Sequence, residues 1–225
     1  MAASTLLYRA AKNVVDRLPA WLVRIRPFGV YEIRLQQVGD KPATQHSRDS
    51  REERVPCQIR WVTDESDVPM LRRVATAKTC AELNFNTRRA VAAWFEGRVI
   101  GCAWIATEAF EEADLGLRFE LHSADAWLFA AVVEEPMRSQ GVYRQLLEFL
   151  IDGLNRENVR RILLGVSVGN EPSRRAHARQ GAVQVGRVMA IRSLGLTACR
   201  RRGRVQRLSL VAFSWRQPIR LVVNI

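Results

Sequence analysis

Two apolar runs separated by a helical pattern constrain the fold of this chain more than any other feature. Residues 126–133 are nearly continuously apolar, as in a strand that is buried on both faces, and residues 161–168 form a second such run. Between them, apolar residues recur with helical spacing from about residue 142 to residue 155. A strand, a helix and a strand in this order form a crossover, which predicts that the two strands are parallel neighbours.

The turn between the first run and the helix has the composition of an anion-binding loop. Arg138, Ser139, Gln140 and Gly141 stand directly before the helical pattern. The first N–H groups of a helix have no intrahelical partners, and the macrodipole adds partial positive charge there. Glycine allows the backbone to approach a phosphate closely. Many strand–loop–helix connections contain a glycine and bind nothing, so this turn alone does not assign a ligand.

The remaining pattern alternates between strand and helix periods. A helix capped by Asp64 or Ser66 is predicted to run to about Lys78, and Glu96 and Gly97 are predicted to join two strands in a hairpin. Further strands are predicted at 57–62, 90–95, 99–106, 119–121, 183–191 and 208–214, a short helix at 171–180 closed by Gly181, an acidic loop at 108–114 and a basic turn at 199–204. This order predicts an α/β (α+β) fold with a mixed sheet covered by helices.

Positive charge is concentrated in the flanks of the chain. The formal net charge is +12, yet residues 61–198 hold 17 basic and 17 acidic residues. Residues 1–60 hold 11 basic and 6 acidic residues, and residues 199–225 hold 7 basic and no acidic residues. The excess indicates an acidic partner such as anionic lipid, nucleic acid or an acidic protein, or else a solvated surface. Nucleic acid is the less favoured partner, because neither interleaved aromatic residues nor a helix-turn-helix or zinc signature accompanies the arginines.

The cysteines and the apolar segments indicate the cellular compartment in which the protein is expected. The four cysteines share no metal-ligand or disulfide-framework spacing, which favours a reducing compartment. No secretory signal is recognised, and no run approaches the roughly 20 apolar residues of a spanning helix. A cytoplasmic location is expected, with peripheral membrane association left open. Residues 4–18 read as a basic amphipathic helix that either lies on a membrane surface or packs on the domain or on a second subunit.

Two segments together resemble the GNAT (GCN5-related N-acetyltransferase) family. The segment from Val133 through Arg138 and Gly141 to Tyr143 resembles the pyrophosphate loop of the family. The segment from Asn170 to Gly181 resembles the helix after the family's fifth strand. The resemblance covers residues 57–215 in element order and is specific over about 126–190. It implies a GNAT-like mixed, mostly antiparallel sheet with a central parallel strand pair and helices on both faces.

The resemblance also implies a domain organisation and a ligand. It implies a GNAT-like acyltransferase domain at 57–215, preceded by an amphipathic helix, a strand and a polar linker at 1–56 and followed by a tail at 216–225. The co-substrate is expected to be acetyl-CoA, with no metal. The cofactor-binding residues that it implies are Val132, Val133, Arg138, Ser139, Gln140, Gly141, Val142, Tyr143, Asn170 and Ser173.

The family chemistry implies direct attack of an amine on a thioester, with a backbone N–H near Val133 polarising the carbonyl. His177 occupies the position of the family's usual proton donor, and Tyr143 is the second candidate acid. Glu120 and Glu134 are candidate bases. Two structural alternatives stay open, since His177 can have a surface or packing role and Asn170, or Ser173, can serve as a helix N-cap.

The implied function is transfer of an acetyl group to a primary amine of a small molecule, an amino sugar or a peptide. The alternative is a catalytically weak GNAT-like binding module, whose basic residues in 1–40 and 199–207 meet an anionic membrane or a nucleic acid. A homodimer is also left open. Tyr143 stands where the family loop has glycine or alanine, so its ring is expected to point away from the phosphates or to pack over the cofactor.

Overall fold

The computed structural model describes residues 22–35, 55–208, 213–215 and 217–224. The strands are β1 (Val23–Arg34), β2 (Gln58–Trp61), β3 (Arg88–Phe95), β4 (Arg98–Ala106), β5 (Ala109–Glu112), β6 (Leu117–Glu120), β7 (Asp125–Val133), β8 (Arg161–Ser167), β9 (Val183–Ser193), β10 (Leu196–Gly203), β11 (Val205–Arg207), β12 (Phe213–Trp215) and β13 (Ile219–Val223). The α-helices are α1 (Val68–Leu71), α2 (Ala77–Ala81), α3 (Val142–Arg156) and α4 (Glu171–Ala178).

The chain divides into two compact units. Unit 1 comprises Met1–Glu32, Ala109–Leu121 and Gly165–Ile225, and unit 2 comprises Ile33–Glu108 and His122–Leu164. The boundary falls within β1 and again within β8, so each of these strands continues from one unit into the other.

Unit 2 contains the predicted crossover. Its strands follow the order β8, β7, β4, β3 and β2. Residues 125–128 of β7 lie parallel to residues 161–164 of β8, with α3 between them in the chain. β3 and β4 are antiparallel, and both residues of their turn, Glu96 and Gly97, have positive φ angles, as a two-residue hairpin requires. The predicted parallel strand pair and the predicted hairpin are therefore confirmed.

Helices cover both faces of the unit 2 sheet. A Cβ atom on Gly101 of β4 would lie 3.3 Å from Cδ1 of Leu146 in α3. Cys102 is the next residue along the strand, and it packs in one buried cluster with Leu71 of α1 and Cys80 of α2. Since successive residues of a strand point to opposite faces, α3 lies on one face, and α1 and α2 lie on the other.

The prediction of a single helix reaching Lys78 is wrong, because the segment forms a 3₁₀ turn and two separate α-helices. Of the two predicted caps, Asp64 accepts a hydrogen bond from the Ser66 N–H at 2.8 Å, but it begins a 3₁₀ turn. α1 ends at Leu71, and the chain then turns before α2. Thr76 has extended backbone angles, and its hydroxyl accepts from the Thr79 N–H at 3.1 Å. Such an N-cap begins a new helix rather than continuing an old one.

Unit 1 contains two sheet segments. β12, β10, β9 and β1 are neighbours in that order and are antiparallel. β11, β13, β6 and β5 form a four-stranded sheet in which β13 and β6 are parallel. β13 lies in the segment that the sequence analysis assigns to a tail.

Two predicted loops of unit 1 are strands. Most of the acidic loop at 108–114 is β5, which pairs with β6 and places Phe110 opposite Phe119. The basic turn predicted at 199–204 lies largely in β10, because the reversal of the chain occurs earlier, at Leu194 and Gly195, which both have positive φ angles. The charged composition of both segments resembles that of a loop, so pairing with a neighbouring strand decided their structure.

Some predictions concern residues that the structure does not describe. The amphipathic helix at 4–18 and nearly all of the polar linker at 39–55 lie outside the described residues. Among the helices of the described ranges, none combines the length and the apolar character needed to cross a membrane.

Candidate functional site

The candidate site begins with a bulge in β7. Gly101 and Cys102 of β4 pair with Val133 and Val132, whereas Trp104 pairs with Phe129. Residues 130 and 131 therefore lie opposite residue 103 alone, and Ala130 has a φ of 47°. A bulge leaves backbone groups outside the strand ladder and turns the strand locally. These groups stand beside Val132 and Val133, where the family resemblance predicts the thioester carbonyl.

The loop after β7 presents uncapped helix N–H groups. A 3₁₀ turn at Glu135–Met137 leads to Arg138 and Ser139, both of which are exposed. Ser139 and Gly141 have φ angles of 62° and 74°. Gly141 is the N-cap of the 15-residue helix α3, and no side chain of the described residues caps it. The free N–H groups and the helix dipole both favour an anion at this position, so the loop fits a pyrophosphate.

Two side chains of the loop also stabilise it through hydrogen bonds to its own backbone and to the end of β7. Arg138 Nε donates to the Val133 carbonyl oxygen at 3.2 Å, and Gln140 Nε2 donates to the Pro136 carbonyl oxygen at 2.6 Å. The first bond ties the loop to the end of β7, and the second closes the 3₁₀ turn. In this arrangement both side chains shape the loop. The Arg138 N–H is itself bonded to the Glu135 carbonyl oxygen at 3.2 Å, so the donors left for an anion are the first N–H groups of α3.

Tyr143 lies in the first turn of α3. Burial raises the pKa of its phenol above the usual value. The hydroxyl therefore keeps its proton throughout the neutral range. A protonated phenol close to the predicted pyrophosphate loop can act as a hydrogen-bond or proton donor.

Glu134 lies between β7 and the loop, and two arginines bind it. Arg73 Nε contacts one carboxylate oxygen, and Arg98 Nη1 contacts the other at 2.6 Å. The hydrogen bond from Arg73, with a further contribution from Arg98, lowers the pKa of Glu134. The carboxylate therefore stays ionised. Its two arginine partners connect the start of the loop to the turn after α1, through Arg73, and to β4, through Arg98.

The second motif lies in unit 1. Asn170 is the N-cap of α4, and its side-chain oxygen accepts from the Ser173 N–H at 3.3 Å. Asn170 therefore has the N-cap role that the sequence analysis left open. The cofactor-binding roles of Asn170 and Ser173 stay predictions. His177 is buried in the same helix, and burial lowers its pKa to about 4. Its ring is uncharged at neutral pH, which favours a packing role over proton donation.

Glu120 ends β6 in unit 1. Arg118 Nε and Arg220 Nε donate to the same carboxylate oxygen at 3.0 and 2.7 Å. Burial by itself would raise the pKa of Glu120, but the hydrogen bonds from Arg220 and Arg118 outweigh it and lower the pKa. Glu120 is thus ionised and paired, as Glu134 is in unit 2.

The predicted residues fall into two groups. Unit 2 brings together Glu134 and residues 132–133 and 138–143, and unit 1 carries Glu120, Asn170, Ser173 and His177. Sequence reasoning missed Arg73 and Arg98, which reach Glu134 across 61 and 36 residues of chain and have no local signal. It also missed the bulge at Ala130, which lies inside an ordinary apolar run. In the described ranges, no group of three or more His, Cys, Asp or Glu residues has an arrangement suited to a metal ion.

Comparison with known proteins identifies a family. Residues 51–182, more than half of the 225 residues, match the model of the acetyltransferase (GNAT) family. No curated protein sequence gave a significant match.

Solved structures with a similar fold were also found. A putative GNAT-family acetyltransferase from Novosphingobium aromaticivorans is 14% identical over 75% of this chain, with a TM-score of 0.48; the match spans 63% of that protein, less than two thirds of its length. The ribosomal-protein-S18-alanine N-acetyltransferase from Escherichia coli is 22% identical over 55% of this chain and 77% of its own, with a TM-score of 0.42. Such values carry no information on substrate.

Proposed function

The chain belongs to the GNAT acetyltransferase family, and from this premise we propose that it transfers an acetyl group from acetyl-CoA to a primary amine by direct attack. The acceptor is a small molecule, an amino sugar or a peptide amine. The observation that carries the proposal is the uncapped N-terminus of α3, which follows a glycine with a φ of 74° at the predicted pyrophosphate position. The core residues around it are neutral overall, so the phosphates are held by local backbone donors.

The proposed chemistry needs three contributions from the chain. The amine nitrogen attacks the thioester carbon, the carbon–sulfur bond breaks, the amine loses a proton and the leaving thiolate gains one. Backbone N–H groups beside the β7 bulge, near Val133, are proposed to stabilise the negative charge that develops on the carbonyl oxygen. At a bulge such backbone groups lie outside the hydrogen-bonded ladder, so they are available to the carbonyl oxygen.

Tyr143 is the proposed proton donor to the thiolate. Its phenol is protonated at neutral pH, and burial raises its pKa and makes it a weaker acid, whereas His177 is uncharged at neutral pH because its pKa is about 4. Glu134 and Glu120 are the proposed bases, directly or through water. Their arginine partners lower the pKa of both carboxylates, so each is ionised and able to accept a proton but is a weak base.

Calorimetric titration of the full chain with acetyl-CoA tests the proposal. Saturable binding is expected, and Gly141→Glu is expected to abolish it, since a carboxylate would stand where the phosphates bind. A screen of amine acceptors, monitored by release of free CoA, then identifies the substrate class. Absence of acetyl-CoA binding by the folded chain would contradict the proposal.

A second candidate function is a binding module with little catalysis. The observation that favours it is a pair of exposed arginines on one face of β10, Arg200 and Arg202. An anionic membrane or another acidic partner would meet these residues, and binding would fall with added salt. Acetyl-CoA binding without CoA release for any acceptor, together with salt-dependent binding to an anionic surface, would favour this function. The cytoplasmic location and the homodimer are also proposals.

A further inference from the structure

One face of the sheet segment formed by β9, β10 and β12 is apolar and exposed. Its large side chains remain 38–61% exposed. They are Met189, Ile191, Leu196, Phe213 and Trp215. In a sheet that has one face toward water, the outward positions are normally polar. A contiguous apolar surface of this kind indicates an interaction site.

Strand register places these side chains on one face. Ala198 of β10 lies opposite both Ile191 of β9 and Phe213 of β12, and Leu196 lies opposite Trp215. The intervening residue Thr197 points the other way, is buried, and donates from its hydroxyl to the Leu115 carbonyl oxygen at 3.3 Å. The inner face is thus packed within unit 1, and the outer face is left to solvent.

The outer face contains a shallow apolar cleft. Its volume is about 190 Å³, and it is lined by Met189, Ile191, Ala198, Cys199, Arg200 and Phe213. Five of these six residues are uncharged, and the sixth is Arg200. A cleft with this lining fits a hydrocarbon segment that ends in an anionic group.

The charge of the surrounding strands has one sign. β9, β10 and β12 contain five arginines and neither Asp nor Glu. Arg202 lies directly opposite Arg187, and Arg200 lies opposite Met189 on the same face. Across the described ranges, none of Arg187, Arg200 and Arg202 forms an ion pair. Like charges directly opposite each other destabilise a sheet unless an anion compensates them.

We propose that this outer face docks on an anionic lipid surface. Phe213 and Trp215 enter the boundary between headgroups and acyl chains, where aromatic side chains are favoured. Arg187, Arg200 and Arg202 contact the headgroup phosphates. A second copy of the chain is the weaker candidate, because a two-fold interface would bring the same arginines of two copies together without carboxylates. The proposal extends beyond acetyl transfer and does not depend on it.

Co-sedimentation of the full chain with vesicles tests the proposal. Vesicles of phosphatidylcholine and phosphatidylserine are expected to bind the chain, and vesicles of phosphatidylcholine alone are expected to bind it at least about tenfold more weakly. Binding to the anionic vesicles is expected to fall as salt rises. The double variant F213S/W215S and the double variant R200Q/R202Q are each expected to lose at least about tenfold in affinity.

Matched controls lie in unit 2. Met70→Ser removes an apolar side chain of similar exposure, and Arg156→Gln removes an exposed guanidinium. Both controls are expected to bind like the unaltered chain. A second measurement uses vesicles with brominated acyl chains, which quench tryptophan inserted among them. Quenching of the unaltered chain is expected to exceed that of Trp215→Phe, a variant that keeps an aromatic ring.

Several results would overturn the proposal. These are absence of binding to anionic vesicles, full binding by folded F213S/W215S, or equal quenching with and without Trp215. A dimer in light scattering that F213S/W215S dissociates, without vesicle binding, would assign the face to a second copy instead. Acetyl-CoA titration of the same variants is expected to be unchanged, so failure here is distinguishable from failure of the proposed enzymatic function.

Discussion

Replacing Gly141 with alanine perturbs the proposed pyrophosphate loop by a single methyl group. Gly141 has a φ of 74° and a ψ of −2°, a left-handed conformation that costs a residue with a Cβ atom about 1–2 kcal/mol. For a chain of this size, that cost corresponds to a fall in Tm of about 2–8 °C. The same substitution turns the first N–H groups of α3 away from their present directions, or places a methyl group where the phosphate approaches.

Gly195→Ala separates the two effects. Gly195 lies in the turn between β9 and β10, has a φ of 87°, and has nothing within 4 Å of a Cβ atom built on it. The backbone cost is therefore similar, but the loop after β7 is untouched. Both variants are expected to lose about 1–2 kcal/mol of unfolding free energy in urea titrations.

Only Gly141→Ala is expected to weaken acetyl-CoA binding. A hydrogen bond to a charged group contributes roughly 1.5–3 kcal/mol, so losing one raises Kd by about 10- to 150-fold. Calorimetry measures this change at a temperature where both variants are folded. Equal Kd values for Gly141→Ala, Gly195→Ala and the unaltered chain would refute the assignment of the α3 N-terminus as the phosphate site.

Three further predictions test other parts of the structure. Asp125→Asn removes a carboxylate that is buried against Arg161, with N–O distances of 2.6 and 2.8 Å, and it is expected to lower the free energy of unfolding in urea by about 3–5 kcal/mol. Glu171→Gln, in an exposed ion pair, should lower it by less than about 1 kcal/mol, and equal losses would contradict the burial argument. The pKa of His177 is about 4 in the folded state and about 6.5 in the unfolded state, so the unfolded state is protonated first and stability falls as the pH drops from about 6.5 to 4. His177→Gln should therefore reduce the slope of stability against pH between pH 5 and 7, and an unchanged slope would contradict the burial of this ring. Glu134→Gln should weaken acetyl-CoA binding several-fold because the arginine contacts to the loop are weakened, and intact binding with lost CoA release would instead favour Glu134 as the base.

Sequence patterns predicted the elements that depend on short-range chemistry. The crossover was predictable because two apolar runs and a helical period stand in a fixed order. The hairpin was predictable because a glycine, which adopts positive φ readily, stands between two apolar runs at Glu96 and Gly97. The helix break at Thr76 escaped prediction, although a threonine cap was a usable signal. β5 and most of β10 escaped it because their composition resembles a loop, and only pairing with β6 and β9 makes them strands.

The candidate site divides in the same way. Gly141 at a helix start is a local feature, so the sequence alone predicted a loop at residues 138–143 that leads into a helix and could hold an anion. The tertiary structure alone decided that two distant arginines hold Glu134, that burial lowers the pKa of His177, and that burial raises the pKa of Tyr143. The reason is physical: turn and helix preferences act over a few residues, whereas ionisation depends on the solvent and charge that remote segments exclude or supply. The apolar outer face of β9, β10 and β12 is a tertiary property too. Its apolar residues look like core residues in the sequence, whereas in the structure they share one face of the strands and remain 38–61% exposed.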